Sequence, residues 1–119
     1  MRGGRELIVG AKAESGLGHL IMFGIGGIFV EVLKDVIFKI APVTSVEIED
    51  MFSSIKAAPL LDGIRGEKGV NKNGVIEIIQ RTSMLITDFP IIQEMDLNPI
   101  IAFENDVLAV DARIKILKE

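Results

Sequence analysis

From Glu94 to Pro99 the chain alternates between polar and apolar side chains, with Glu94, Asp96 and Asn98 set against Met95, Leu97 and Pro99. Side chains of a strand point to opposite faces in turn, so this segment lies extended with three oxygen-bearing groups on one side and an apolar underside on the other. The underside demands a core, and the carboxylates demand solvent or a cation, because burying them unpaired is costly. A final hairpin is expected to run out from about Gln93 to Ile101, turn through Phe103 to Asp106, and return over Val107 to Leu117.

The rest of the chain supplies the core. Glu6 to Ala13 reads as a strand ending in the turn material Glu14-Ser15-Gly16, and Leu20 to Phe23 begins a second strand that pairs with it. After Gly24-Ile25-Gly26-Gly27, the segments Ile28 to Val32 and Val36 to Val43 read as two more β-rich pieces of a meander. Thr44 with Glu47 forms a capping-box signature, and Ile48, Met51, Phe52 and Ile55 recur at helical spacing, which predicts a helix over about 45 to 57. Pro59 to Gly74 carries four glycines with Asp62, Arg65, Lys68 and Asn71, and reads as a loop long enough to have a task. Asn73 is placed to cap a second helix whose stripe of Val75, Ile78, Ile79, Thr82, Leu85, Ile86 and Phe89 ends before Pro90. The fold class expected is α+β, a mainly antiparallel sheet of about five strands with two long helices on one face.

Composition narrows the functions open to such a fold. At 119 residues, 49% of them hydrophobic and only 5% aromatic, the chain forms one domain, residues 1–119, with an aliphatic core. Thirteen Lys and Arg against seventeen Asp and Glu leave a net charge of −4, so no basic footprint for nucleic acid is expected. The absence of cysteine excludes disulfides and thiolate zinc sites and fits a cytoplasmic setting. The apolar window from Leu17 to Leu33 holds His19, four glycines and Glu31, so it reads as buried strands and no membrane partner is expected.

Chemistry enters through the register of the hairpin. With the turn centred between Glu104 and Asn105, facing residues have numbers that sum to 209, so Asn98 faces Asp111, thirteen residues on, and Asp96 faces Arg113. Facing Cβ atoms of an antiparallel pair lie about 4.5–5.5 Å apart, near enough for an amide oxygen and a carboxylate to share a hard cation. Two protein oxygens suit Mg²⁺, which keeps waters and takes further ligands from nucleotide phosphates. The plainer reading is a strand end with a surface ion pair between Asp111 and Arg113, and moving the turn by one residue sets Asn98 against Arg113 instead.

Other residues invite weaker readings. His19 is the only histidine, and at the start of a strand it reads as a hydrogen-bonded or solvated residue before a nucleophile. Gly24, Gly26 and Gly27 lack a following Gly-Lys-Ser/Thr and a helix start, so close backbone packing or a bulge is expected. Arg65, between Gly63 and Gly66, carries a planar fork suited to a phosphate or carboxylate, and it equally fits a loop anchor. Glu31 reads as a solvated charge, with a buried pairing to Lys34 or Lys39 as the other option, and Met51 and Phe52 read as helix core.

Taken together, Phe23-Gly24-Ile25-Gly26-Gly27-Ile28-Phe29-Val30-Glu31-Val32-Leu33-Lys34-Asp35-Val36, Ile40-Ala41-Pro42, Gly63-Ile64-Arg65-Gly66, Glu94-Met95-Asp96-Leu97-Asn98-Pro99 and Val110-Asp111-Ala112-Arg113 resemble the NDP-forming acyl-CoA synthetases. Over essentially the whole chain the resemblance is to the ATP-grasp β subunit of ADP-forming acetate-CoA ligases, itself similar to the β subunit of succinyl-CoA synthetase. It implies the C-terminal subdomain of an ATP-grasp module, with the N-terminal part that precedes Glu6 in the family absent. It also implies an acid-thiol ligase reaction in which acyl-CoA, ADP and phosphate become acid, CoA and ATP through an acyl phosphate and a phosphohistidine.

By similarity, Asn98 and Asp111 match the two Mg²⁺ ligands that hold the nucleotide's metal, with ATP or ADP as the bound nucleotide. Asp96 stands where the family places an acidic residue that meets the swinging phosphohistidine segment, and Asp96 and Arg65 are the catalytic candidates. Gly18-His19 replaces the family's usual Gly-Pro, so His19 inherits no role. The partners implied are a CoA-binding α subunit and the missing ATP-grasp half, without which the chain is not expected to be active. Oligomeric state is left open by the sequence, although lack of the neighbouring subdomain would expose apolar sheet surface and favour a homo-oligomer. The alternatives are a non-catalytic interaction module or remnant of that domain, and a piece of a longer protein.

Overall fold

The computed structural model describes residues 4–63 and 69–116. Among the described residues six antiparallel strands form one sheet: β1 (Arg5–Glu14), β2 (Gly18–Ile25), β3 (Val36–Ile40), β4 (Ile92–Ala102), β5 (Val107–Ala109) and β6 (Ala112–Ile116). Their order is β3-β2-β1-β4, with β5 and β6 both lying along the outer side of β4. The β1–β2 turn closes through a hydrogen bond from the Leu17 amide to the Glu14 carbonyl, 3.0 Å. It needs left-handed backbone at Gly16 (φ 81°) and Gly18 (φ 92°), which glycine adopts without a Cβ penalty.

Of the four helices among the described residues two are long, α2 (Ser45–Ser54) and α4 (Lys72–Asp88), and they cover one face of the sheet; α1 (Ile28–Glu31) and α3 (Pro59–Asp62) are single turns. The capping box at the start of α2 is present in full: Glu47 N–H donates to Thr44 Oγ1 at 3.1 Å, and Thr44 N–H to Glu47 Oε1 at 2.9 Å. On the covered face Leu7, Val9, Ile21, Phe23 and Ile100 meet Ile48, Met51, Val75, Ile79 and Ile86, all 1% exposed or less. Each such side chain contributes about 1.5–3 kcal/mol on burial. Phe23 and Phe52 add a tilted ring contact at 5.0 Å between centroids.

The α+β class, the antiparallel sheet and the two long helices match the sequence reading, with four differences. Ile28 to Val32 does not form a strand. At Gly27 (φ 73°) the backbone leaves the sheet, and the Glu31 amide closes a helical turn onto the Gly27 carbonyl at 3.0 Å, so a helix start does follow the glycines. The return strand is split into β5 and β6 at Val110-Asp111, giving six strands where about five were expected.

The cap of α4 is Asn71, not Asn73, because the Asn71 side chain accepts from the Gly74 amide at 3.1 Å. The first long helix stops at Ser54, three residues early, and the chain after it is held by the buried Asp35, whose carboxylate accepts from the Lys56 and Ala57 amides at 2.7 and 2.8 Å. Among the described residues no helix is long and apolar enough to cross a membrane.

Candidate functional site

The face of the sheet opposite the two long helices is open, and cross-strand register lays its side chains out in rows. One row runs Ile40, Leu20, Lys12, Glu94, Lys115; the next runs Phe38, Met22, Gly10, Asp96, Arg113. Apolar residues stand on the β3 side of both rows and charged ones on the β6 side. Between them lies a groove of about 520 Å³, within the range of small-molecule sites. At its far end α1 folds over the sheet, where a Cβ on Gly24 would stand 3.0 Å from Val30 Cγ2. Gly24 is thus explained by close packing, as the sequence suggested.

The third row holds Asn98 and Asp111. Leu97 pairs with Ala112 and Ile100 with Ala109, so the facing residues sum to 209 on both sides of the break. Across the break the Asn98 amide donates to the Asp111 carbonyl at 3.2 Å and the Val110 amide to the Pro99 carbonyl at 3.0 Å. The turn has Glu104 and Asn105 at its tip, with the Phe103 amide bonded to the Asp106 carbonyl at 2.7 Å. β4 also carries a bulge against β1 here: Leu7 faces Ile100 while Val9 faces Leu97. Two residues, Asn98 and Pro99, therefore stand opposite Ile8 alone. Beyond them the buried positions of β4 change parity, from Leu97 to Ile100 and Ala102, so the outward polar run ends at Asn98.

Asn98 and Asp111 are both exposed, and Asp96 is half-buried. Asp111 Oδ1 accepts from the Ala112 amide at 2.9 Å, which fixes the carboxylate beside the ribbon. Among the described residues no cation pairs with Asp111, so the surface ion pair with Arg113 is not formed. An amide oxygen and a carboxylate at facing positions of the ribbon are hard donors of the kind Mg²⁺ takes. Among the described residues no three His, Cys, Asp or Glu side chains cluster as a metal site, so an ion here would need phosphate and water to complete its shell.

The remaining candidates divide. Arg65 lies outside the described residues. His19 is remote from the Asn98–Asp111 pair along the sheet and hydrogen-bonds through Nε2 to the Ile92 carbonyl at 2.8 Å, a structural contact. Glu31 is exposed. Sequence reasoning missed Gly10 and Lys12, which join the open face through the pairing of β1 with β4, 86 positions apart for Gly10 and Asp96. The alternation of Leu7, Val9 and Ala11 with Ile8, Gly10 and Lys12 was the available signal, since it assigns the second set to the outer face.

Comparison with known proteins agrees with this architecture. A family model described as the ATP-grasp domain matches residues 1–116. The chain is 54% identical over 104 residues to 4-hydroxybutyrate–CoA ligase (ADP-forming) of Nitrosopumilus maritimus, covering 87% of this chain and 15% of that protein. It is 49% identical over 111 residues to the β subunit of acetate–CoA ligase (ADP-forming) I of Pyrococcus furiosus, covering 93% of this chain and 48% of that subunit. A solved structure of dinucleotide forming acetyl-coenzyme A synthetase 1 from Ca. Korarchaeum cryptofilum superimposes with a TM-score of 0.91 at 39% identity, covering 99% of this chain and 55% of that one. That structure contains coenzyme A and Mg-AMPPCP, with its phosphohistidine segment pointing towards the nucleotide binding site. The chain thus spans about half the length of the β subunit it matches. With the open sheet face, the split outer strand and these likenesses together, the chain belongs to the ATP-grasp family.

Proposed function

We propose that this chain forms one wall of the Mg-nucleotide site in an ADP-forming acyl-CoA synthetase, working in the cytoplasm with a complementary ATP-grasp portion and a CoA-binding α subunit. The observation that carries the reading is the hairpin register, which sets Asn98 opposite Asp111 on the exposed ribbon, one row from Asp96. The open face supports it: ATP-grasp sites close between two subdomains, and the half-exposed Phe38 and Ile40 of β3 are suited to a second wall.

In this reading Asn98 and Asp111 would hold Mg²⁺, which would supply positive charge to offset that of the nucleotide's phosphates. Asp96 lies on the same strand face two residues before Asn98 and orients a phosphorylated imidazole by accepting its free ring N–H. In the ATP-forming direction a terminal oxygen of ADP bonds to phosphorus as the P–N bond breaks. The electron pair passes to the imidazole nitrogen, and the ring leaves neutral because its other nitrogen keeps the N–H held by Asp96. Arg65, whose guanidinium is a planar fork, is proposed to bind a phosphate or carboxylate. Because the cleft needs its second wall, the chain alone is inactive.

The test is reconstitution. Mixing this chain with the complementary ATP-grasp portion and the α subunit is expected to give acid- and ATP-dependent CoA turnover, absent when this chain is omitted. Asn98→Ala and Asp111→Ala are each expected to weaken Mg-dependent ADP binding about 100-fold, roughly 2.7 kcal/mol. No turnover from the complete mixture, or turnover unaltered by both substitutions, would overturn the enzyme reading in favour of a non-catalytic interaction module.

A further inference from the structure

Gly10 is a glycine that the fold does not require. It sits inside β1, hydrogen-bonded between β2 and β4, where glycine weakens a strand. The β1–β4 bulge lies between Leu7 and Val9 and does not include it, and Gly10 is not among the glycines with positive φ. A Cβ built on Gly10 would meet Met22 Cε and the Met95 carbonyl oxygen, both at 3.5 Å, which is ordinary contact. Gly24, on the same face, differs: its Cβ would stand 3.0 Å from three separate atoms.

What Gly10 does is interrupt a row. On one side of it stand Phe38 and Met22, on the other Asp96 and Arg113, and it forms part of the floor of the 520 Å³ groove. The next row along β4 is Asn98 with Asp111. The groove therefore ends one row from the metal pair on its Asp96 side, and at the buried Gly10 no side chain rises between Met22 and Asp96.

We propose that Gly10 is a clearance position, whose bare backbone opens a lane across the sheet along which the phosphorylated imidazole of a protein segment comes beside Asp96 and in line with a nucleotide held at Asn98 and Asp111. The inference rests on the function proposed above and goes beyond it by assigning the direction of approach and the residue that keeps it open. The apolar wall of Met22 and Phe38 suits the carbon edge of the ring and its flanking residues. Asp96 suits the ring N–H. The transfer itself is the one already given, with the P–O bond to ADP forming as the P–N bond breaks.

Gly10→Ala and Gly10→Val test this in the chain assembled with the complementary ATP-grasp portion and the phosphorylated α subunit. Three quantities are read: thermal unfolding, Mg-ADP affinity, and the single-turnover rate of phosphoryl transfer to ADP. Both variants are expected to melt no lower than the parent, since alanine and the β-branched valine suit a strand interior better than glycine. Mg-ADP affinity is expected to stay within about 2-fold, while transfer slows about 100-fold for Gly10→Val and about 10-fold for Gly10→Ala, the scale of a displacement near 1 Å at a reacting centre.

Transfer at the parent rate in both variants would overturn the proposal. So would a loss of ADP affinity as large as the loss of rate, which would put the nucleotide itself on Gly10. Failure of the parent assembly to bind Mg-ADP at all would overturn the function on which the proposal rests. Should Gly10→Val fail to fold, Gly10→Ala, whose added methyl meets nothing nearer than 3.5 Å, decides the matter.

Discussion

The helix-covered face and the open face of the sheet are made by alternate residues of the same strands. On β1, Leu7, Val9 and Ala11 go under the helices while Gly10 and Lys12 face out; on β2, Ile21, Phe23 and Ile25 go under while Leu20 and Met22 face out. The covered face is close-packed and almost entirely aliphatic. The open face mixes apolar, acidic, basic and empty positions in adjacent rows, an arrangement that packing alone does not call for. The difference separates residues that hold the fold from residues left free for a ligand, and substitutions on the two faces are expected to fail in different ways.

The largest effect is expected under the helices. Phe23→Ala removes a fully buried ring together with its contact to Phe52, and is expected to cost about 3–5 kcal/mol in chemical denaturation. A loss below about 1 kcal/mol would break the comparison, because the covered face would then not be carrying the core. Next comes the link between sheet and helix. Asp35→Ala leaves the Lys56 and Ala57 amides without their carboxylate and is expected to cost about 2 kcal/mol.

Thr44→Ala, which dismantles the capping box of α2, is expected to cost about 1 kcal/mol. The smallest stability effect belongs to the open face. Asn98→Ala is expected to change unfolding by no more than about 0.5 kcal/mol, the scale for an exposed side chain free of special contacts. A change as large as that of Phe23→Ala would make Asn98 a folding residue and erase the distinction.

How far each face was legible in the sequence follows from the distance over which its residues interact. The capping box, the two helical stripes and the register of the last hairpin rest on neighbours within a few residues or across a tight turn, and they were readable. The turn at Ile28 to Glu31 was not. Ile28, Val30 and Val32 carry strand propensity, and a single left-handed glycine at position 27 overrides it. The cap at Asn71 was missed because Asn73 also precedes the apolar stripe, and only the hydrogen bond to the Gly74 amide tells them apart. Gly10 and Lys12 were missed because they join the site through a strand pairing that spans most of the chain.

The same distances explain why the Asn98–Asp111 pair stood out and its surroundings did not. Facing positions across a two-residue turn follow from counting, whereas the bulge at Asn98-Pro99 and the parity change beyond it depend on how β4 pairs with β1. That bulge is what places Asn98 last in the outward polar run, with its neighbours beyond turned to the core.

The central claim is that Asn98 and Asp111 jointly hold the nucleotide's metal. Paramagnetic relaxation in isotopically labelled chain, assembled with the complementary ATP-grasp portion and given ADP with Mn²⁺ in place of Mg²⁺, tests it most directly. The signals of Asn98 and Asp111 are expected to broaden first, those of Asp96 next, and those of the helix-covered Phe23 and Ile79 last. Broadening that begins elsewhere on the chain, or that is unchanged in Asn98→Ala and Asp111→Ala, would contradict the account.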